Sequence, residues 1–148
     1  MHNNLVILAG GASSRMKKEA VLDNLSPEEI AQANERSKGL IGVGSSGRPL
    51  LDYLLLNAKK AGYTNIYIII GEQGELFKEF YGSKNVDNDF HGLNISFAVQ
   101  YIPEGRVKPF GTADALFQAV MQFPELNLQE YSVCNSDNLY SAEALRAL

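Results

Sequence analysis

The first apolar run of the chain limits its fold most strongly. Residues Leu5 to Ala9 contain no polar side chain, and Gly10 and Gly11 follow them directly. A strand buried on both faces has this pattern, because helices cover both sides of a parallel sheet. The run is too short for a membrane span or for the core of a signal peptide. It therefore predicts the first strand of a parallel sheet.

Three later segments are predicted as strands of the same sheet. They are Ile66 to Ile70, which is rich in β-branched residues, Ile95 to Gln100 and Tyr131 to Cys134. Between them, Pro49 to Ala61 and Thr112 to Phe123 carry apolar residues at helical spacing. This alternation predicts an α/β fold with a Rossmann-like, doubly wound, mostly parallel sheet of four strands.

The segments between these elements carry shorter signals. Thr112 is predicted to cap the second helix, and Ser141 is predicted to open another. The "GVGSSG" stretch from Gly42 to Gly47 is expected to be a flexible loop or turn, and "SKNVDNDFHG" a solvated loop. The helix that opens at Ser141 has hardly begun where the sequence stops, so we expect a chain truncated at its C-terminus.

The connection from Lys17 to Gly47 is longer than a simple crossover requires. It contains "SPEEIAQANERSK", in which Ser26, Pro27 and Glu29 form a capping box with proline at the first helical position. We expect an inserted helical segment around residues 17–47 within a single domain that spans residues 1–148.

Charge and cysteine content narrow the possible partners. The net charge of −4 argues against a general nucleic-acid binder and against binding to an anionic membrane, since both need excess Lys and Arg. The only cysteine, Cys134, cannot form an internal disulfide, and His2 and His91 give no zinc-type spacing. These features favour a cytoplasmic protein that holds any anionic ligand locally.

The glycines after the first strand suit a phosphate ligand. Gly10 and Gly11 can bring backbone N–H groups close to phosphate oxygens, and Arg15 adds a forked cationic donor. Two glycines alone would make a tight turn equally well. Because they are adjacent, the pattern is neither G-x-G-x-x-G nor a P-loop, which makes a dinucleotide-binding module the weaker alternative.

Four segments in order resemble the sugar-nucleotide pyrophosphorylase and related nucleotidyltransferase superfamily. "LVILAGGASSRM" is similar to its signature loop, and "SKGLIGVGSSGRPLLDYLLLNAKKAG" to its lysine segment, with Lys38 at the lysine position. "FAVQYIPEGRVKPFGTADAL" is similar to the strand and loop that close on G-T-A-x-A-L. "SVCNSDNLYS" is similar to the metal-binding L-G-D-N-L segment. The resemblance implies the nucleotide-diphospho-sugar transferase (GT-A-like) fold, of which this chain would be the N-terminal nucleotide-binding portion.

The resemblance also implies roles for individual residues. Lys38 and Arg15 would be catalytic, since their charges would lie where negative charge builds on the phosphates. Asp137 would hold Mg2+, because a carboxylate oxygen suits a hard cation. The nucleotide would be bound by Ala9, Gly10, Gly11, Gln100, Gly111 and Thr112.

Simpler readings of the same residues stay open. Lys38 could be a surface lysine, and Asp137 could cap a turn with Asn138. Gln100 could be a buried core residue rather than a contact to the nucleobase. Thr112 is more simply a helix cap, and Asp114 more simply complements the helix dipole, with a contact to the base or ribose as the alternative for either residue.

The implied activity is transfer of a nucleoside monophosphate from a triphosphate to a sugar 1-phosphate or similar phosphorylated acceptor. One alternative is a non-catalytic nucleotide-binding or regulatory domain. Another is a guanylyl- or cytidylyltransferase of the molybdenum-cofactor type, toward which "SSRM" leans, whereas "GTADAL" leans toward sugar phosphates. The family's L-G-D is here Asn135-Ser136-Asp137. Base, acceptor and oligomeric state therefore stay open, a homo-oligomer among the possibilities.

Overall fold

The computed structural model describes residues 2–10, 42–43, 48–72, 74–106 and 110–148. The strands in this part of the chain are β1 (Asn4–Leu8), β2 (Gly42–Val43), β3 (Arg48–Pro49), β4 (Asn65–Gly71), β5 (Asn88–Phe90), β6 (Leu93–Gln100) and β7 (Ser132–Asn135). The helices are α1 (Leu50–Ala61), α2 (Glu75–Tyr81), α3 (Thr112–Gln122) and α4 (Ala142–Arg146), with a 3-10 turn at Pro124–Asn127.

The main sheet has the strand order β5-β6-β4-β1-β7. The pairs β6–β4, β4–β1 and β1–β7 are parallel, and only the edge strand β5 runs antiparallel to its neighbour β6. The short strands β2 and β3 form a separate antiparallel ribbon. The predicted doubly wound, mostly parallel α/β fold is therefore confirmed.

Burial on both faces explains the apolar run of β1. Leu5 and Ile7 belong to a core formed with α1, α2 and α4 on one face of the sheet. Val6, between them, belongs to a second core formed with α3 and the 3-10 turn on the other face. All three side chains are fully buried. Because successive side chains point to opposite faces, a strand between two helical layers needs apolar residues throughout.

The end of α1 and the start of α4 both follow local sequence signals. Gly62 ends α1 with a φ of 107°, a left-handed conformation that glycine adopts without strain. The Ser141 side chain accepts a hydrogen bond from the backbone N–H of Ala144, so the predicted helix start is confirmed. Leu145 of α4 is fully buried in the core that includes α1.

The sheet has one strand more than predicted. Part of the segment expected to be a solvated loop forms β5, so that expectation is wrong for residues 88–90. Phe90 pairs with Leu93 across a two-residue turn in which His91 and Gly92 have φ values of 51° and 89°. Positive φ at both positions is what a tight hairpin with the twist of the strands requires. Asn88 is buried, and its side chain bonds the Lys84 and Ile95 carbonyls.

Two further expectations are corrected. Thr112 is the first residue of α3 rather than its cap: Gly111 occupies the cap position, and no side chain bonds there. Gly42 and Val43 pair with Pro49 and Arg48, so the start of the expected flexible loop is a strand. Most of the predicted insertion, residues 17–41 and 44–47, lies outside the described residues. No helix in the described part of the chain is long and apolar enough to cross a membrane.

Candidate nucleotide-binding site

The order of the strands creates a crevice beside β1. From β1 the chain moves outward in one direction through β4 to β6, and then returns to pair β7 with the opposite side of β1. The helices of the outward connections, α1 and α2, pack on one face of the sheet, whereas α3, in the return from β6 to β7, packs on the other. In open α/β sheets ligands bind in the crevice outside the carboxyl ends of the strands at such a point.

Ala9 and Gly10 form the end of β1 at this crevice. The Ala9 N–H donates to the Ile69 carbonyl, which keeps the chain beside β4 for one residue beyond the strand. A Cβ built on Gly10 would lie 3.3 Å from both the Gly71 nitrogen and the Ile70 carbonyl carbon. Glycine thus allows β1 to end against the backbone of β4, as expected for a turn that holds its backbone close to a ligand.

Asp137 lies on the other side of β1. The backbone N–H of Ser136 donates to the Leu8 carbonyl at 3.0 Å, which ties the turn after β7 to the last residue of β1. Ser136 is buried, whereas Asp137, the next residue, is exposed. The carboxylate therefore stands at the carboxyl edge of the sheet, where the sequence predicted it.

Gln100 ends β6 and reaches toward β1 across the end of β4. Its side chain is 5% exposed, and its Nε2 donates to the Gly111 carbonyl at 3.0 Å and to Asp114 Oδ2 at 3.1 Å. Its Oε1 lies 3.4 Å from the place that a Cβ on Gly10 would occupy. Strand β6, the start of α3 and the turn after β1 therefore meet at this side chain.

Gly111 and Thr112 are exposed at the start of α3. Gly111 has a φ of 117°, in the region that favours glycine. The start of an α-helix presents unpaired backbone N–H groups and a partial positive charge, which favour an anionic or polar ligand group. The structure thus brings Ala9, Gly10, Gln100, Gly111, Thr112 and Asp137 to one edge of the sheet. Gly11, Arg15 and Lys38 lie outside the described residues.

The side chains that the structure describes at this edge suit only one kind of Mg2+ site. Among the described residues no group of three or more His, Cys, Asp or Glu side chains could hold a metal ion. An all-protein cage is therefore not formed by this part of the chain. Mg2+ often binds through one or two carboxylates together with the phosphates of a substrate. Asp137 suits that arrangement.

Sequence reasoning missed the contacts that organise the edge. It assigned no function to Gly71 or Ser136, although these residues border Gly10 and join β7 to β1. It assigned Asp114 to the helix dipole or to a contact with the base or ribose, and it did not single out Gln118, which donates to Asp114 at 2.8 Å. The spacing of Asp114 and Gln118, one helical turn apart, was the only available signal.

A separate pocket of about 490 Å3 lies along α1, away from this edge. Its wall includes Leu55 and Leu56 of α1 and Phe90 of the β5–β6 hairpin. The predicted site residues at the carboxyl edge do not line it. The carboxyl edge therefore remains the candidate site, because only there do the ends of several strands and a helix start converge.

Comparison with known proteins identifies the family of the chain and a solved structure of similar fold. A family model described as "Nucleotidyl transferase" matches residues 4–148. A solved structure described as a UDP-glucose pyrophosphorylase from Acinetobacter baumanii is similar in fold, with a TM-score of 0.62 at 14% sequence identity. The match covers 93% of this chain and 46% of that one, so the chain spans about half the length of its structural relative. No curated protein matches the sequence.

Proposed function

Because the chain belongs to the nucleotidyl transferase family, we propose that it binds a nucleoside triphosphate and transfers its nucleoside monophosphate to a phosphorylated acceptor. A sugar 1-phosphate is the acceptor that the family resemblance and the UDP-glucose pyrophosphorylase likeness favour. One observation carries the proposal: Gly10, Gln100 and Asp137 all lie at the carboxyl edge beside the point where the strand order reverses.

The proposed reaction is an in-line displacement at the α-phosphorus. An oxygen of the acceptor phosphate forms a new bond to the α-phosphorus, and the bond from that phosphorus to the bridging oxygen of the β-phosphate breaks. The products are a nucleotide conjugate and pyrophosphate. No covalent enzyme intermediate is needed, so the protein contributes by positioning the two substrates and stabilising charge.

The described residues supply the positioning in this proposal. The backbone around Ala9 and Gly10 holds the triphosphate, and Gln100 and Gly111 contact the base or ribose. Arg15 and Lys38, assigned from the sequence, would neutralise the β/γ- and α-phosphates. Loss of one such charge in the transition state costs about 3 kcal/mol by analogy with a lost oxyanion donor.

Asp137 would hold Mg2+ together with the phosphates. When bound, the ion supplies positive charge that offsets the charge of the triphosphate. Asp137 is exposed rather than buried in the core.

Release of pyrophosphate tests the proposed reaction. The protein is incubated with Mg2+, one of ATP, CTP, GTP or UTP, and one of several sugar 1-phosphates. We expect pyrophosphate to form with at least one pair. Binding of a triphosphate without release would favour the alternative of a non-catalytic nucleotide-binding domain, and the absence of both would contradict the proposal.

Replacing Asp137 by Asn tests the metal assignment. Asn has the same shape but loses the anionic oxygen that Mg2+ prefers, so we expect the Mg2+-dependent gain in triphosphate affinity to fall by about tenfold or more. Affinity measured without Mg2+ should be unchanged. Calorimetry with and without the metal gives both values.

Asp89→Asn is the matched control for that experiment. Asp89 is an exposed carboxylate on the edge strand β5, opposite Asn94 near the amino end of β6. Asp89→Asn changes the net charge of the protein by the same amount as Asp137→Asn. It should leave the triphosphate affinity with and without Mg2+ as in the wild type. If Asp137→Asn behaves like this control, Asp137 does not bind the metal.

A further inference from the structure

The two hydrogens of the Gln100 carboxamide are both committed inside the protein. One is donated to the backbone carbonyl of Gly111 at 3.0 Å and the other to Asp114 Oδ2 at 3.1 Å. A primary amide has only two N–H donors. No donor therefore remains on Gln100 for a ligand.

These partners also fix the orientation of the amide. A backbone carbonyl and an ionised carboxylate can only accept hydrogen bonds, so the nitrogen of Gln100 must face both of them. The oxygen must then point the other way, and it lies 3.4 Å from the position of a Cβ on Gly10. Within the described part of the chain, no residue donates a hydrogen bond to that oxygen.

We propose that Asp114 is a positioning residue that, with the Gly111 carbonyl, holds Gln100 so that it offers only an acceptor to the nucleotide. The inference rests on the proposed function, since it assumes that a nucleotide lies beside Gly10. The group that meets Gln100 must then carry a hydrogen. A base N–H or a ribose hydroxyl meets this requirement, whereas an ionised phosphate oxygen does not.

Asp114 is itself held in place from α3. Its Oδ2 accepts a second hydrogen bond, at 2.8 Å, from the Nε2 of Gln118. Gln118 in turn bonds both the N–H and the carbonyl of Tyr101, at 2.8 and 3.0 Å. The carboxylate is therefore fixed relative to the end of β6, which is where Gln100 lies. A fixed acceptor of this kind is what a positioning role requires.

Removal of the carboxylate should free the amide. In Asp114→Ala one N–H of Gln100 loses its acceptor, so the amide can rotate and present either end to the ligand. In Asp114→Asn the side-chain oxygen can still accept from Gln100. Asp114→Asn should therefore keep the nucleotide affinity that Asp114→Ala loses. If the negative charge itself were required, both variants would lose affinity.

Calorimetry with ATP, CTP, GTP and UTP, each with Mg2+, measures the consequence. For the triphosphate that the wild type binds best, we expect Asp114→Ala to weaken binding by about tenfold and Asp114→Asn by less than about threefold. Asp114→Ala introduced into Gln100→Ala should add nothing, because the side chain that it positions is already absent. Gln122→Leu, which removes a side chain of α3 that bonds Val99 rather than Gln100, should bind as the wild type.

Three results would overturn the inference while leaving the proposed transfer reaction intact. They are unchanged affinity in Asp114→Ala, unchanged affinity in Gln100→Ala, or fully additive losses in the double variant. Loss of fold in Asp114→Ala would be seen by circular dichroism. The affinities of Asp114→Asn and Gln100→Ala would then be compared. Equal losses of affinity would overturn the inference, and a loss only in Gln100→Ala would support it.

The ligand-free protein provides an independent readout. Nuclear magnetic resonance of the Gln100 side-chain amide should show two protons protected from exchange in the wild type and in Asp114→Asn. Rapid exchange of both protons in the wild type would overturn the inference. If the wild type binds none of the four triphosphates, the proposed function fails, and this measurement still decides whether Asp114 positions Gln100.

Discussion

At the scale of single residues, burial separates the side chains that can meet a ligand from those that cannot. Asp137 is exposed in the turn after β7, whereas Cys134, three residues earlier and within the strand, is 5% exposed. Burial alone raises the pKa of the Cys134 thiol from 9.0 to about 12. A neutral, buried thiol is a poor nucleophile, so Cys134 serves as a core residue.

The shifted pKa of Cys134 predicts a pH dependence of stability. Below pH 9 the thiol is protonated in both the folded and the unfolded chain and has no effect. Between pH 9 and about 12 the unfolded chain loses this proton while the folded chain keeps it. The free energy of unfolding should therefore fall as the pH rises, by up to about 1.4 kcal/mol per pH unit from this group.

Denaturant unfolding of the wild type and Cys134→Ala at pH 8 and pH 10.5 measures this effect. The other titrating groups are shared, so the difference between the two proteins isolates the thiol. We expect the wild type to lose more stability than the variant over this range. Equal losses would show that the thiol ionises as readily in the folded protein as in the unfolded chain.

At the scale of elements, α3 completes the outer edge of β6. Strand β5 pairs only with the first residues of β6, and the Asn85 carbonyl then accepts from the Phe97 N–H. Beyond that point Gln122 bonds the N–H and carbonyl of Val99, and Gln118 does the same for Tyr101. Side-chain amides thus replace a neighbouring strand. This arrangement satisfies backbone groups that an open edge would leave unpaired.

The amide pairing predicts a measurable loss of stability. Gln118→Leu and Gln122→Leu each remove two hydrogen bonds to the backbone, to Tyr101 and Val99 respectively, and we expect each to lower the free energy of unfolding by about 1 kcal/mol. Urea unfolding provides the measurement. Gln129→Leu, at an exposed position after the 3-10 turn, is the control and should change stability by less than about 0.5 kcal/mol. If Gln118→Leu and Gln122→Leu lose no more stability than Gln129→Leu, water replaces the side-chain amides without a cost in free energy.

The same elements show what the sequence could and could not predict. The long apolar strands and α1 were predicted because their hydrophobic period is set by burial on known faces. Strand β5 was missed because two of its three residues are polar and its pairing depends on the His91-Gly92 turn. Thr112 was predicted as the helix cap from its residue type, but Gly111 occupies the cap position. Gly10, Gln100 and Asp137 could be placed from the sequence because each lies at or just after the end of a predicted strand. The hydrogen bond between Gln100 and Asp114 could not be predicted, because it depends on the tertiary position of α3 relative to β6.

At the scale of the whole molecule, strand order gives the chain one place where a nucleotide can meet several elements. Strand β1 lies between β4 and β7, and the helices that precede these two strands, α1 and α3, pack on opposite faces of the sheet. The crevice at the carboxyl ends is therefore bordered by the turns after β1 and β7 and by the start of α3. A nucleotide bound there would contact residues that are distant in sequence but adjacent in the sheet.

Backbone amide shifts during a triphosphate titration test this claim most directly. With Mg2+ and the best-bound of ATP, CTP, GTP and UTP, the account predicts shifts concentrated at the carboxyl edge, at Gly10, Gly71, Gly111, Ser136 and Asp137. Amides at the opposite edge, such as those of Asn65 and Leu93, should hardly move. Shifts concentrated instead along α1 and the β5–β6 hairpin, or no shifts at millimolar triphosphate, would contradict the assignment of the site.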